Sequence, residues 1–311
     1  MEACNLDGII NIYKEKGYTS HDVVAKLRGI LRMKRIGHTG TLDPDAEGVL
    51  PVCIGRATSL CEYLTDKDKE YEAVVHLGII TDTLDMSGDI IERNNPVCTK
   101  AQIEDVLTHF TGEIMQVPPM YSAIKFNGKK LYELARKGKE VERKPRKVTV
   151  NSLKLISFDE QNMKFRIRAD VSKGTYIRSL CDDIGRMLGC GACMGELTRT
   201  RSGIYKIDDS VTLNELSNMA VNEIEGMLQS IESTFMMPGK ICCPEADRLI
   251  VNGNSVKEDK LKDYGHNTEK AYINTGKDDI CVYLSDGSFA ALYRYERDTH
   301  IYKPLKMFVS A

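Results

Sequence analysis

The sequence predicts an α+β chain in two parts, a larger one that mixes helices with half-buried strands and a smaller one made of strands. Three observations carry this. Tyr71, Ala73, Val75 and Leu77 alternate with Glu72, Val74 and His76, and Phe165, Ile167, Ala169 and Val171 alternate with charged neighbours, which is the period of a strand with one face buried. Apolar residues recur at helical spacing in three other stretches, around residues 20–31, 99–110 and 177–188. Beyond about Pro238 the texture changes to short strands and tight turns, with Asp286-Gly287 between two apolar runs as a strong hairpin signal.

Length and composition agree with two parts. At 311 residues the chain exceeds a usual single domain, and 42% hydrophobic residues are enough for a packed core. No run approaches the roughly 18 apolar residues of a membrane span. Residues 1–15 carry neither a basic start nor a sustained apolar stretch, so a cytoplasmic protein without a leader is expected. Of the ten cysteines only Cys190 and Cys193 have a suggestive spacing, and no second pair completes a four-ligand zinc set. They read as reduced thiols, with no metal.

The elements follow in order. GIINIY opens as a strand, and Val23, Val24, Leu27, Ile30 and Leu31 then fall on one helical face, with Ser20 as the expected cap and Asp22 in the first turn. That helix leads into a glycine-rich loop from Gly37. A strand is expected to begin at Tyr71, and a second helix runs over 99–110 with Ile103, Val106, Leu107 and Phe110 inward. Pro118-Pro119 breaks the chain before a basic segment. The Lys164–Ser172 strand ends at Lys173-Gly174, and Ile177, Leu180, Ile184, Met187 and Leu188 mark a third helix, which puts Tyr176 and Arg178 at a strand-to-helix junction. An acidic helical stretch from Thr212 to about Ile231 links the two parts.

Net charge is −2, yet it is unevenly spread. Between Lys125 and Lys147 ten Lys or Arg stand against three Glu, whereas Asp208 to Glu232 holds six acids and no base. A solvated face is the ordinary explanation of such a run. A surface for phosphates is the other, because neutralising a polyanion releases its counterions.

The most informative string is GHTGTLDPDAEGVLPVCIGRAT, Gly37 to Thr58. It sets one carboxylate, Asp43, before a proline and after Gly37, Thr39, Gly40 and Thr41, in backbone biased toward turns. An isolated Asp-Pro dipeptide would read as an Asx turn. This string, however, resembles the catalytic motif of the TruB family of tRNA pseudouridine synthases, G-H-x-G-x-L-D-P-x-A-x-G-x-L-P, at every fixed position. KEYEAVVHLG, TDTLDMSGDI, QVPPMYSAIKFNGKKLYELARKGKEVERKPR and SKGTYIRSLCDDIG also resemble family motifs in the family's order, from about Gly8 to about Gly203. RLIVNGNSV and its position resemble, more weakly, the family's C-terminal RNA-binding barrel of the PUA type.

The resemblance implies a fold, a reaction and a site. The fold is a mixed, largely antiparallel sheet with flanking helices and a central cleft over residues 1–237, interrupted near 117–147 by the basic insert, followed by a small β barrel over 238–311. The reaction is isomerisation of the T-arm uridine conventionally numbered 55 in tRNA, without cofactor. Asp43 acts by attack on C1′, by attack on C6 or by promoting a glycal, and the residues do not separate these routes. Arg178 pairs with that aspartate in a fork-shaped contact, and Tyr71 stacks on the target base and is a candidate for removing the proton at C5. Tyr176 and Leu197 line the pocket, and His38 contacts the RNA where the target nucleotide has been extruded. Lys14 shapes it, although Glu15 stands where many members have proline. Arg143, Lys144, Arg146 and Lys147 belong to the RNA-contacting insert. The implied partner is tRNA, through its T-stem loop and acceptor stem, bound by a stand-alone monomer. Other readings are a synthase for ribosomal or guide-directed sites, and an RNA-binding or RNA-folding protein with incidental catalysis.

Overall fold

The computed structural model describes residues 6–265 and 271–309, so the reading of the N-terminus as leader-free falls partly outside the described residues. A ten-stranded mixed sheet forms the larger part. Its main path runs Val211–Thr212, Gly8–Lys14, Glu47–Ile54, Ala192–Ser202, Lys69–Leu77, Lys164–Val171, Arg146–Asp159 and Gly112–Gln116. All neighbours on this path are antiparallel except at two places. Gly8–Lys14 meets Val211–Thr212 in parallel, and Glu47–Ile54 meets Ala192–Ser202 in parallel over Thr198↔Glu47 and Arg199↔Gly48.

That second contact joins the two halves of the sheet, and Gly48 makes it possible. Its φ is +102°, and a Cβ there would lie 2.3 Å from the carbonyl oxygen of Arg199. Only glycine combines this backbone with so close an approach. The loop bearing Asp43 ends just before Glu47, so this junction sets where the carboxylate stands.

The helices form where the periodicity places them. Ser20–Leu31 buries Val23, Val24, Leu27 and Leu31 against Ile10, Ile12, Leu50, Val52 and Ile54. Its cap is Thr19, not Ser20. Thr19 and Asp22 close a reciprocal capping box, while the Ser20 hydroxyl turns inward and accepts from the Leu42 N–H at 3.0 Å. Lys100–His109 is capped likewise by Thr99 and Gln102 and buries Ile103, Val106 and Leu107. Ile177–Met187 packs Ile177, Leu180 and Ile184 into the cluster that holds Ala73, Val75, Phe165, Ile167 and Ala169. Met187, expected inward, is exposed at the end of its helix. The strand expected from Tyr71 begins at Lys69, so the tyrosine lies within it, opposite Ala169 and Arg199. The acidic linker is two short helices, Leu213–Ser217 and Val221–Met227.

The smaller part is a curled six-stranded sheet that includes Gly239–Cys242, Asp279–Tyr283, Phe289–Glu296 and Ile301–Met307. The expected hairpin turns at Gly287, φ +84°. This sheet does not hang free. Ile9, Val49, Cys53, Leu60 and Leu64 of the larger part share one apolar cluster with Phe235, Ile273, Cys281, Leu292 and Phe308.

Candidate active site

Asp43 stands on a loop that is pinned from every side. Thr39 donates its N–H and its hydroxyl to the Pro51 carbonyl, each at 3.1 Å, Ser20 holds Leu42, and the Gly17 N–H donates to the Pro44 carbonyl at 2.9 Å. Lys14 completes the clamp. Its side chain is wholly buried (0% exposed) and donates to the carbonyls of Tyr18 at 2.6 Å, and of Glu15 and Pro44 at 3.2 Å each. Burial pushes the ammonium down to about 8, with Asp43 opposing that and Arg199 reinforcing it. Three carbonyl dipoles thus replace its hydration.

The structure brings Asp43 and Arg178 together. Arg178 Nη2 lies 3.2 Å from Asp43 Oδ2; the arginine side chain is 9% exposed and that of the aspartate 44%. A partly exposed carboxylate is therefore backed by a nearly buried guanidinium. The contact is single, and this corrects the expected fork. Arg178 distributes its other donors, Nη2 to the Tyr121 carbonyl at 2.7 Å and Nη1 to the Thr83 carbonyl at 3.2 Å and Asp85 Oδ2 at 3.3 Å. One arginine holds the Asp43 loop, the 79–93 ribbon and the root of the basic insert.

Asp85 went unnoticed in the sequence. Its Oδ1 accepts the Thr83 hydroxyl at 2.8 Å, the Ser87 N–H at 3.0 Å and the Ser87 hydroxyl at 2.5 Å, which leaves Oδ2 to the arginine. The hydroxyl-rich TDTLDMS run was the available signal. Arg199, two residues beyond the buried Leu197, was likewise missed. It is 1% exposed, donates through Nε to the Val49 carbonyl at 2.6 Å and carries an Nη2 with no hydrogen-bond partner among the described residues.

The remaining candidates surround this pair unequally. His38 accepts from the Gly40 N–H at 3.4 Å and meets the His21 ring edge-on at 5.1 Å. Burial, followed by the charges of His21 and Arg199, holds its imidazole below the ordinary value, so it is neutral at pH 7. Tyr176 heads the Ile177–Met187 helix, and burial raises its phenol against the opposing charges of Arg146 and Arg178. Tyr71 and Leu197 border the same apolar cluster as Leu42 and Ala46 of the loop. In the insert, Lys144 and Arg146 are exposed, and Lys147 pairs with Glu113 at 2.7 Å on the surface. Arg143 instead folds back to donate to the Pro118 carbonyl at 3.1 Å and lies 3.8 Å from Glu140.

Chemically, such a carboxylate can attack an electron-poor carbon or stabilise positive charge beside it, and the guanidinium can compensate charge as it moves.

The fold is of a known architecture: it superposes on the chain of a Cbf5-Nop10-Gar1 complex with a TM-score of 0.70 and 27% identity, covering 97% of this chain and 85% of that one. Residues 28–177 match the TruB family pseudouridylate synthase (N terminal domain), and residues 178–236 match the tRNA pseudouridylate synthase B C-terminal domain. The chain is 49% identical to the tRNA pseudouridine synthase B of Lachnoclostridium phytofermentans over 98% of its own length and 100% of that protein's. It is 46% identical to the enzyme of that name from Bacillus cytotoxicus, over 82% of this chain and 85% of the relative. The chain belongs to the TruB family of pseudouridylate synthases. Asp43 falls in the first matched segment and Arg178 opens the second, so the pair spans both.

Proposed function

We propose that this protein isomerises uridine to pseudouridine in tRNA, at the T-arm uridine conventionally numbered 55. The observation that carries the reading is the accessible Asp43 carboxylate set 3.2 Å from the buried Arg178 guanidinium, in a chain whose relatives over nearly its whole length bear the name tRNA pseudouridine synthase B. The reaction breaks the bond from ribose C1′ to base N1, turns the base and joins C1′ to C5, with the proton lost from C5 and one gained at N1. Atoms are conserved and no electrons are transferred, so the stoichiometry calls for no redox cofactor. Asp43 supplies the negative charge at the reacting centre, Arg178 holds it in place, and Tyr71 stacks on the base. His38, neutral and beside the loop, contacts the RNA where the nucleotide has left its stack, at a cost of about a few kcal/mol. Tyr176, Leu197 and Lys14 shape the pocket.

Exposed Lys144, Arg146 and Lys147 meet the phosphates of the T-stem loop, and the C-terminal sheet reaches a remoter part such as the acceptor stem. No helix among the described residues is long and apolar enough to cross a membrane, and a cytoplasmic enzyme acting alone as a monomer fits a tRNA substrate. Incubating the purified protein with unmodified tRNA and mapping pseudouridine by position tests this. A single modified T-arm uridine is expected. Modification of ribosomal RNA instead, or none without a guide RNA, would overturn it.

A further inference from the structure

Gln116 ends the Gly112–Gln116 strand, is 2% exposed, and spends its side chain on the backbone of a residue sixty positions away. Its Nε2 donates to the Tyr176 carbonyl at 3.0 Å, and its Oε1 accepts from the Tyr176 N–H at 2.8 Å. Tyr176 is the cap of the Ile177–Met187 helix, and its own side chain makes no capping bond. Two further bonds run between the same segments: the Ser179 hydroxyl donates to the Val117 carbonyl at 3.0 Å, and Arg178 Nη2 donates to the Tyr121 carbonyl at 2.7 Å. Residues 116–121 are the root of the basic insert. The start of the helix that carries Arg178 is thereby fastened to that root at three successive points.

We propose that Gln116 is a positioning residue for the isomerisation: its amide clasps the Tyr176 backbone and so fixes Arg178 beside Asp43 against the root of the RNA-contacting insert. This rests on the reading of Asp43 and Arg178 as the reacting pair. The amide is required because it presents a donor and an acceptor in one plane, matched to the N–H and carbonyl of a single residue. An ionised glutamate of nearly the same shape can only accept, so it would keep the bond from the N–H and turn an oxygen toward the carbonyl. A protonated glutamate has one donor and one acceptor again. A buried carboxyl of this kind titrates above the ordinary carboxylate range, which brings the change within reach of an enzyme assay.

The test compares wild type, Gln116→Glu and Gln116→Met on unmodified tRNA between pH 6 and pH 8, with kcat and KM separated and tRNA affinity measured by filter binding. At pH 8 both variants are expected to lose about tenfold or more in kcat, in the range for misplacing a catalytic group, with tRNA affinity within about twofold of wild type. Toward pH 6 the ratio of wild type to Gln116→Glu should shrink as the carboxyl regains its proton, whereas the ratio to Gln116→Met should stay constant. Thermal unfolding at each pH identifies any variant that fails to fold; if Gln116→Glu does, its recovery below its titration point still decides. Unchanged kcat at pH 8, equal losses at both pH values in the two variants, or a loss confined to tRNA affinity would each overturn the proposal. Asp43→Asn, assayed alongside, keeps the outcomes distinct: activity in that variant removes the reading of the pair, whereas a silent Gln116→Glu with an inactive Asp43→Asn removes the clasp alone.

Discussion

The Asp43 carboxylate stands 3.2 Å from the Arg178 guanidinium, which makes its charge the property to remove first. Asp43→Asn is nearly isosteric, and it should abolish pseudouridine formation while tRNA binding stays largely intact; turnover near wild type, measured as pseudouridine formed in the tRNA, would end the assignment. Arg178 touches four acceptors on three segments, and a lysine cannot reach them together. Arg178→Lys should therefore lower kcat by roughly a hundredfold, comparable to losing one preorganised donor, and leave KM nearly unchanged. A variant impaired only in KM would place the arginine on the RNA backbone. Lys14 offers a pH signature. Its ammonium is held down at about 8 by burial, below the value of 10.5 expected when unfolded, so the unfolded chain binds more protons between these values and stability rises with pH across that window. The wild-type melting temperature relative to Lys14→Met should climb from pH 8 to pH 10, and a flat difference would show that the lysine is not held uncharged there.

Among elements, the basic insert behaves as two populations. Lys144, Arg146 and Lys147 lie on the surface, while Arg143 braces the insert on Pro118. Neutralising the first three should weaken binding of full tRNA and of an isolated T-stem loop alike, and reduce the magnitude of the salt slope by about 0.7 to 0.9 for each phosphate that is no longer neutralised. An unchanged slope would remove these residues from the interface. Arg143→Ala should act differently, through the fold of the insert, because it strips a donor from a carbonyl at the insert's root. Charge counting could not separate these cases; the sequence shows four neighbouring cations, and only the path of the chain shows which one turns inward.

At the scale of the molecule, the C-terminal sheet shares an apolar cluster with Ile9, Val49, Cys53, Leu60 and Leu64. Lys67 donates to the Tyr272 carbonyl at 2.9 Å, the Tyr205 and Tyr272 hydroxyls meet at 3.0 Å, and Lys306 pairs with Glu62 across the same boundary. The composition change at Pro238 thus coincides with a core that runs on across it. Truncation after residue 237 would expose apolar surface at about 25 cal/mol for each Å² uncovered. The truncated chain is expected to melt far lower than wild type or to aggregate, and to lose activity on an isolated T-stem loop as well as on tRNA. A truncated chain with a native circular dichroism spectrum and full activity on the isolated loop would show that the halves are independent after all.

The sequence by itself determined the strand and helix faces, because alternation and helical spacing are local: Ala73, Val75, Phe165 and Ile167 face the core on period alone, and the Gly37–Thr58 motif marks Asp43 without any structure. It misjudged local ends where two residues compete for one role, as Thr19 and Ser20 did for the cap, since either hydroxyl can cap and only the inward path to Leu42 decides between them. Tertiary structure alone decided the partners of Arg178 other than Asp43. Thr83, Asp85 and Tyr121 lie far from it in the chain, and a guanidinium with five donors bonds whichever oxygens packing delivers. Burial of Lys14 and Arg199 was decided in the same way: Lys14 takes two carbonyls from its own turn, Glu15 and Tyr18, but is closed in by that of Pro44 from the Asp43 loop, and Arg199 depends on the distant Val49 carbonyl.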